Sequence, residues 1–144
     1  MTTPSSVPEH AQGAAGAPFD ELLTAARDVV HRAYAPYSGY SVGAAGRADD
    51  GRIVTGCNVE NAGYGVTLCA ECGMVSELIA GGGGKLTAFV CVNGQGDVIM
   101  PCGRCRQLLS EHAADDFAIL TPQGVRDLEG ILPQAFGPAD MGLA

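Results

Sequence analysis

Hydrophobic positions follow a helical period at the start of the chain and a strand pattern after it. Between residues 22 and 33, apolar side chains recur at three- or four-residue spacing, which predicts an amphipathic helix. Asp20 and Glu21 favour the start of this helix, and Pro36 ends it. Two short apolar runs flank the turn sequence DDG, residues 49–51, and predict a β-hairpin.

The second half of the chain alternates helices and strands. Its predicted elements are a helix at 69–80 ended by glycines, a buried strand within 85–96, a loop entering a helix at 100–113, a short strand at 116–124 and final helical turns at 127–136. The first of these helices has a predicted buried face of Met74, Val75, Leu78 and Ile79. The complete order predicts an α/β domain whose mixed sheet carries helices on its faces.

Length, charge and cysteine content narrow the class of protein. The 144 residues fit one domain, placed at 19–144, after a small, polar and proline-containing segment at 1–18 that predicts a flexible tail. The net charge of −8, without a basic stripe, argues against a nucleic-acid partner. With six cysteines, no apolar run of membrane length and no secretory signal, we expect a cytoplasmic protein, no membrane partner and a small-molecule substrate.

Two CxxC pairs carry the candidate chemistry. The sequence TLCAEC pairs Cys69 with Cys72, and PCGRC pairs Cys102 with Cys105. One interpretation is a closed structural zinc site with four cysteine ligands. In the other, Cys69, Cys102 and Cys105 hold zinc at predicted helix N-termini, where the helix dipole favours thiolates. The fourth tetrahedral position then stays open for water, as catalytic zinc requires.

Glu71 separates these two interpretations. It lies two residues after Cys69, in the first turn of the predicted helix, so its carboxylate can approach a water at the metal without ligating zinc. There it can take a proton from the water and deliver it to a substrate. The arrangement C-x-E…P-C-x-x-C is the pattern of zinc-dependent deaminases, which attack C4 of cytosine. A structural four-cysteine site leaves Glu71 without a role.

Further stretches together resemble one family. YAPYSGYSVGAA, GCNVENAGYG, CAE, PCGRCRQLL and ILPQAF are similar to segments of the small, homotetrameric, zinc-dependent cytidine deaminases, and the resemblance extends from about Leu22 to Met141. It implies a three-layer α/β/α fold with a five-stranded mixed sheet, one Zn²⁺ per subunit and a homotetramer. The implied reaction is hydrolytic deamination of cytidine and 2′-deoxycytidine to uridine and 2′-deoxyuridine, with release of ammonia, in pyrimidine salvage.

The resemblance also implies roles for individual residues. Cys69, Cys102 and Cys105 match the zinc ligands, and Glu71 matches the proton shuttle. The matches to substrate-binding positions are Asn58 and Glu60 of NVEN at the ribose 3′-hydroxyl, Tyr40 against the base or sugar, the Ala70 N–H at the pyrimidine, and Tyr64 and Phe136 near subunit junctions. For the last four residues, core or interface packing explains the match nearly as well as ligand contact.

One position departs from the family pattern. Many members have an arginine beside the thiolates, directly after the catalytic glutamate, where this chain has Cys72. Three thiolates give a zinc site a net charge of about −1, which makes its bound water less acidic and which an arginine offsets. We hypothesise that Arg104, between the cysteines of PCGRC, hydrogen-bonds a zinc thiolate and supplies this charge; Arg106 is the less favoured candidate.

Three other functions compete with cytidine deamination. Blasticidin-S-type aminonucleoside deaminases also resemble the chain at PCGRCRQ, but they do not keep the Asn-x-Glu pair of NVEN. Polynucleotide editing requires a basic channel, which an acidic chain without a basic stripe does not provide. A zinc-stabilised binding module is the non-enzymatic alternative, and loss of turnover in a Glu71→Gln variant that still folds and holds zinc would argue against it.

Overall fold

The structure is a computed structural model that describes the backbone of residues 9–143 and the side chains of residues 19–143. In chain order, its elements are α1 (Glu9–Val29), β1 (Val42–Ala48), β2 (Ile53–Cys57), α2 (Ala70–Ala80), β3 (Leu86–Asn93), β4 (Val98–Ile99), α3 (Gly103–His112), β5 (Ala113–Thr121), β6 (Gly124–Asp127) and α4 (Leu128–Ile131). Short 3₁₀ turns lie at Val30–Arg32, Tyr64–Val66 and Pro138–Met141.

The described strands form one mixed sheet. Five of them follow the order β2-β1-β3-β5-β6, and the two-residue strand β4 pairs with β3 beside this path. β3 and β5 are parallel, whereas the other paired strands are antiparallel. The sequence pattern did not predict β4 or β6, because both are short and only partly buried and so show no alternation of apolar and polar residues.

Helices cover both faces of this sheet. α1 packs on one face, against Ala88 and Val90 of β3. On the other face, α2 and α3 pack against Phe89 and Cys91 of the same strand. Successive side chains of a strand point to opposite faces, so β3 contributes to both halves of the core and needs a continuous apolar run. The predicted three-layer α/β/α fold is confirmed.

A glycine in β2 allows α2 to approach the sheet closely. A Cβ atom at Gly56 would lie 2.2 Å from the carbonyl oxygen of Ala70 and 2.5 Å from the amide nitrogen of Met74. Non-bonded atoms do not approach backbone that closely, so this crossing requires a residue without a side chain. The contact determines how the first turn of α2, which carries Glu71, is placed over the strand.

Two predicted details differ from the structure. α1 begins at Glu9, earlier than Asp20 and Glu21. Gly13, Gly16 and Pro18 lower the helix propensity of this extension, so propensity alone did not predict it. Ile79 is 53% exposed, because it lies one residue, or about 100° of helix rotation, beyond the buried Leu78.

Residues 1–8 lie outside the described residues, so the flexible tail and the domain limits stay predictions. Within the described chain, no helix has both the length and the apolar character needed to cross a membrane.

Candidate metal centre and active site

The N-termini of α2 and α3 bring three cysteine thiols together. Cys69 is the N-cap residue of α2 and Cys102 is that of α3, and both have extended backbone angles. Cys105 is buried in the first turn of α3. All three Sγ atoms lie within 4.8 Å of one another, and those of Cys69 and Cys102 are 3.9 Å apart. The two CxxC motifs therefore meet at one point, although they are far apart in sequence.

This thiol cluster fits a zinc ion. Zn–S bonds of about 2.3 Å at tetrahedral angles place neighbouring sulfur atoms about 3.8 Å apart, close to the separation of Cys69 and Cys102. Among the described residues, Cys72 does not belong to the cluster; its Sγ lies 4.0 Å from Nη2 of Arg104. The geometry thus favours three protein ligands with one open position over a closed four-cysteine site.

Burial controls the protonation of these thiols in the metal-free chain. It raises the pKa of the Cys105 thiol, and the neighbouring Glu71 carboxylate adds to the effect. Burial also raises the pKa of Cys69. Partial burial opposes ionisation of Cys102, but the combined interactions with Cys105, Cys69 and the Arg104 amide outweigh it, so the pKa of Cys102 is lowered. Zinc binds thiolates, and its binding therefore releases protons from this cluster.

Glu71 is a buried carboxylate beside the thiols. It lies in the first turn of α2 and is 3% exposed. Burial raises the pKa values of the neighbouring Cys91 and Cys105 thiols, and the Glu71 carboxylate adds to this effect on both. The positive end of the α2 dipole favours a negative charge at this point of the helix. Glu71 is thus placed to exchange protons with a molecule held against the cluster.

A cavity of about 310 Å³ lies over these groups. Its lining includes Cys69, Glu71 and Cys102, with Ala70 and Tyr40 beside them. This volume is at the lower end of the range of about 300 to 1,000 Å³ that is typical of small-molecule sites. A ligand in the cavity would contact both the thiol cluster and the carboxylate, as the sequence motifs predict.

Asn58 lies just after β2 and holds part of the cavity wall. Its Oδ1 accepts a hydrogen bond from the amide of Val42 at 2.8 Å, and its Nδ2 donates to the carbonyl of Tyr40 at 2.8 Å. The side chain is 9% exposed and lines the cavity. An amide has two donor hydrogens and two acceptor lone pairs, so Asn58 keeps capacity for one ligand bond of each kind.

Glu60 lines an adjacent hollow of about 350 Å³ and not the main cavity. Its carboxylate accepts hydrogen bonds from the Ser38 hydroxyl and from the amides of Tyr37 and Ser38, at 2.9 and 3.1 Å for the amides. These bonds, with the hydroxyl contributing most, lower the pKa of Glu60 and keep it ionised at neutral pH. Thr67 lines both spaces, so the hollow lies next to the candidate site.

Tyr64 and Phe136 do not line the main cavity. Tyr64 is 78% exposed, and its ring meets that of Tyr37 edge-on with 6.3 Å between the ring centroids. Phe136 is 59% exposed, and its carbonyl accepts a hydrogen bond from Gln107 at 2.8 Å. The structure of the single chain therefore does not bring these two residues to the thiol cluster, and their substrate-binding role stays a prediction.

Sequence reasoning missed several residues that line the cavity. Thr67 and Leu68 directly precede Cys69, and Ile99 and Met100 directly precede Pro101. The sequence feature that could have identified these residues is their position directly before the two CxxC motifs. A chain segment that enters a helix at a metal site also forms the wall beside that site, so residues just before each motif are good candidates for ligand contact.

Comparison with known proteins identifies the family. Residues 19–121 match the family model of the cytidine and deoxycytidylate deaminase zinc-binding region. A cytidine deaminase of Mycobacterium tuberculosis (strain CDC 1551 / Oshkosh) is 57% identical over 109 residues, 76% of this chain and 82% of the relative. The crystal structure of cytidine deaminase from Mycobacterium leprae has a TM-score of 0.78 and 55% identity, covering 81% of this chain and 98% of that chain.

A second solved structure agrees with these matches. The crystal structure of cytidine deaminase from Mycobacterium tuberculosis has a TM-score of 0.80 and 53% identity, covering 83% of this chain and 97% of that chain. A mixed sheet between helix layers and three thiols at two helix N-termini are features of a zinc-dependent deaminase. The chain belongs to the cytidine and deoxycytidylate deaminase family. The predicted family, fold and zinc cofactor are thereby confirmed.

Proposed function

We propose that this protein is a zinc-dependent hydrolase that converts cytidine and 2′-deoxycytidine to uridine and 2′-deoxyuridine with release of ammonia. The observation that carries the proposal is the buried carboxylate of Glu71, which lines a small cavity beside three thiols that fit zinc. A closed structural metal site would not need an acid–base group at this place. The relatives named above as cytidine deaminases support the same substrate.

The residues around the cavity divide the work of deamination. Cys69, Cys102 and Cys105 would hold the zinc ion, which would activate a water as a Lewis acid. Glu71 accepts a proton from the attacking water and delivers it to N3 of the pyrimidine. It then carries the proton of the new C4 hydroxyl to the amino group, so that the C4–N bond breaks and ammonia leaves. Ala70 lines the cavity at the first turn of α2, where backbone N–H groups have no partner within the helix and are free to contact the pyrimidine.

The sugar is assigned to the other end of the site. Asn58 uses its remaining donor and acceptor capacity, and Glu60 its ionised carboxylate, to bind the ribose 3′-hydroxyl. Tyr40, which is 52% exposed and lines the cavity, packs against the base or sugar. The hollow at Glu60 shares Thr67 with the cavity, and this adjacency supports the placement of the sugar near Glu60.

The active form is assigned to a homotetramer in the cytoplasm. Large exposed apolar side chains concentrate near the hollow, among them Tyr37, Tyr64, Val66 and Leu68. Such a surface is typical of a protein interface. Tyr64 and Phe136 are too exposed to serve their own chain's cavity, which supports their contribution near a junction with a neighbouring subunit. The six free cysteines fit a reducing compartment.

A direct assay tests the proposed reaction. The zinc-loaded protein is incubated with cytidine, 2′-deoxycytidine and blasticidin S, and the ultraviolet absorbance of each base is followed. We expect deamination of the first two compounds. Turnover of blasticidin S alone would replace this assignment with the aminonucleoside class, and no reaction with any of the three would contradict an enzymatic function.

A further inference from the structure

Arg106 follows the last cysteine of PCGRC, and its side chain hydrogen-bonds to the backbone just before α3 and at the end of α4. Its Nε donates to the carbonyl of Pro101 at 3.0 Å, and its Nη1 donates to the carbonyl of Ile131 at 3.2 Å. Its own amide also donates to the carbonyl of Cys102 at 3.0 Å. The guanidinium is therefore engaged with backbone carbonyls, which makes it a poor candidate for offsetting thiolate charge.

These bonds restrain the backbone of Cys102, the N-cap residue of α3. The Arg106 guanidinium binds the Pro101 carbonyl, which precedes the Cys102 Cα, and the backbone amide of residue 106 binds the Cys102 carbonyl in the first i→i−4 bond of α3. Two successive peptide groups that are held in this way leave Cys102 little freedom to rotate. Cys102 is otherwise exposed, so packing contributes little to its position.

The second guanidinium bond connects the N-terminus of α3 to the core. Ile131 is the last residue of α4, is 5% exposed and belongs to the core cluster on the α2 and α3 face of the sheet. A carbonyl at the end of a helix lacks a partner within the helix, and a charged guanidinium is a strong donor to it. Through these two bonds, Arg106 connects the exposed N-terminus of α3 to the packed core and restrains its movement.

We propose that Arg106 is a positioning residue that holds the N-terminus of α3, Cys102–Cys105, in the conformation that binds the metal. The inference rests on the proposed zinc site and adds a residue that acts through backbone carbonyls without touching metal or substrate. A segment that is ordered before zinc arrives loses less conformational entropy on binding. Zinc therefore binds more tightly and dissociates more slowly.

The test measures zinc release, which does not depend on turnover. Zinc-loaded wild type and R106Q are mixed with excess chromogenic chelator, and the rate of zinc transfer is recorded. We expect R106Q to release zinc about 10- to 100-fold faster, the usual effect of losing a group that orients a metal ligand. R106K should fall between the two, because one ammonium group does not reproduce the fixed fork that reaches both carbonyls.

Arg52 provides a matched control. It is also half-buried and donates to two backbone carbonyls, those of Leu78 and Gly83, but at the far end of α2. The stability of the metal-free R106Q and R52Q proteins is compared by urea unfolding. We expect both substitutions to reduce stability and only R106Q to accelerate zinc release, which separates positioning of the α3 N-terminus from a general loss of packing.

The outcomes distinguish the inference from the proposed function. If R106Q releases zinc at the wild-type rate, or if R52Q accelerates zinc release as much as R106Q does, the positioning role of Arg106 is overturned. Neither result affects the proposal that the protein is a zinc enzyme. Failure of the wild-type protein to hold zinc overturns both. If R106Q does not fold, R106K decides the question: faster release than wild type supports the role of Arg106, and an unchanged rate refutes it.

Discussion

At the scale of single residues, the charge around the thiol cluster affects the acidity of a zinc-bound water. Three thiolates lower the acidity of that water, and family members commonly place an arginine where this chain has Cys72. The Nη2 of Arg104 lies 4.0 Å from the Cys72 Sγ, so its guanidinium is next to Cys72, and the hydrogen bond to a zinc thiolate stays a prediction. We propose that Arg104 restores the positive charge from the neighbouring helix.

Substitution of Arg104 tests this compensation. R104Q should lower kcat for cytidine about tenfold and accelerate zinc loss, because both the thiolates and the developing negative charge lose a nearby cation. Steady-state kinetics and metal analysis measure the two effects. R32Q, which removes an exposed arginine from the turn after α1, should change neither. Equal kcat and zinc content in R104Q and wild type would refute the role.

Glu60 provides a second test at this scale. If its carboxylate binds the ribose 3′-hydroxyl, E60Q should raise KM for cytidine about tenfold, the usual cost of losing a hydrogen bond to a charged group. The same substitution should have little effect on the KM for 3′-deoxycytidine, which lacks the partner hydroxyl. Equal increases with both nucleosides would show that Glu60 acts through the loop it holds at Tyr37 and Ser38.

At the scale of elements, the crossing of α2 over β2 determines where the active-site helix begins. Gly56 and Gly73 face each other there, but only Gly56 is in tight contact with backbone. G56A should destabilise the protein by about 1–3 kcal/mol through overpacking, and it should reduce activity by displacing the first turn of α2.

G73A is the matched control for this crossing. Its Cβ would lie 3.7 Å from the Gly56 Cα, an ordinary contact, and alanine favours a helix. It should leave stability unchanged or raise it by up to about 1 kcal/mol. Urea unfolding of both variants measures the difference. Equal destabilisation by the two substitutions would contradict the account of the crossing.

Elements with a long apolar pattern were predictable from sequence, and those defined by tertiary contacts were not. The hairpin, α2, β3 and α3 were predicted close to their observed positions, because each has a clear period or turn signal. β4 and β6 have neither, since pairing with a neighbouring strand is what defines them. The exposure of Ile79 likewise depends on how α2 is rotated against the sheet, which the helix pattern alone does not fix to one residue.

The residues of the candidate site were likewise only partly predictable from the sequence. The thiol cluster and Glu71 followed from motif spacing, because the chemistry of zinc restricts which residues can serve. Cavity residues such as Leu68 and Met100 carry no chemical signature and appeared only once the chain was folded. The position of Glu60 in a neighbouring hollow also required the structure, because it depends on the loop at Tyr37 and Ser38.

At the scale of the whole molecule, the exposed aromatic surface near the hollow predicts assembly. Wild-type protein should sediment in analytical ultracentrifugation at about four times the chain mass of 14.7 kDa. Y64D should shift the protein to smaller species, because it places a charge in the apolar surface. T24D, which adds the same charge at an exposed position on α1, should leave the mass unchanged. A monomeric wild-type protein would contradict the tetramer.

The central claim is that Glu71 performs acid–base chemistry beside a catalytic zinc. The most direct measurement is cytidine turnover by zinc-loaded E71Q, with E77Q on the same helix as the control and zinc content determined for both. We predict that E71Q keeps its zinc and loses about 10²- to 10⁴-fold in kcat, whereas E77Q stays close to wild type. Turnover by zinc-loaded E71Q at the wild-type rate would contradict the account.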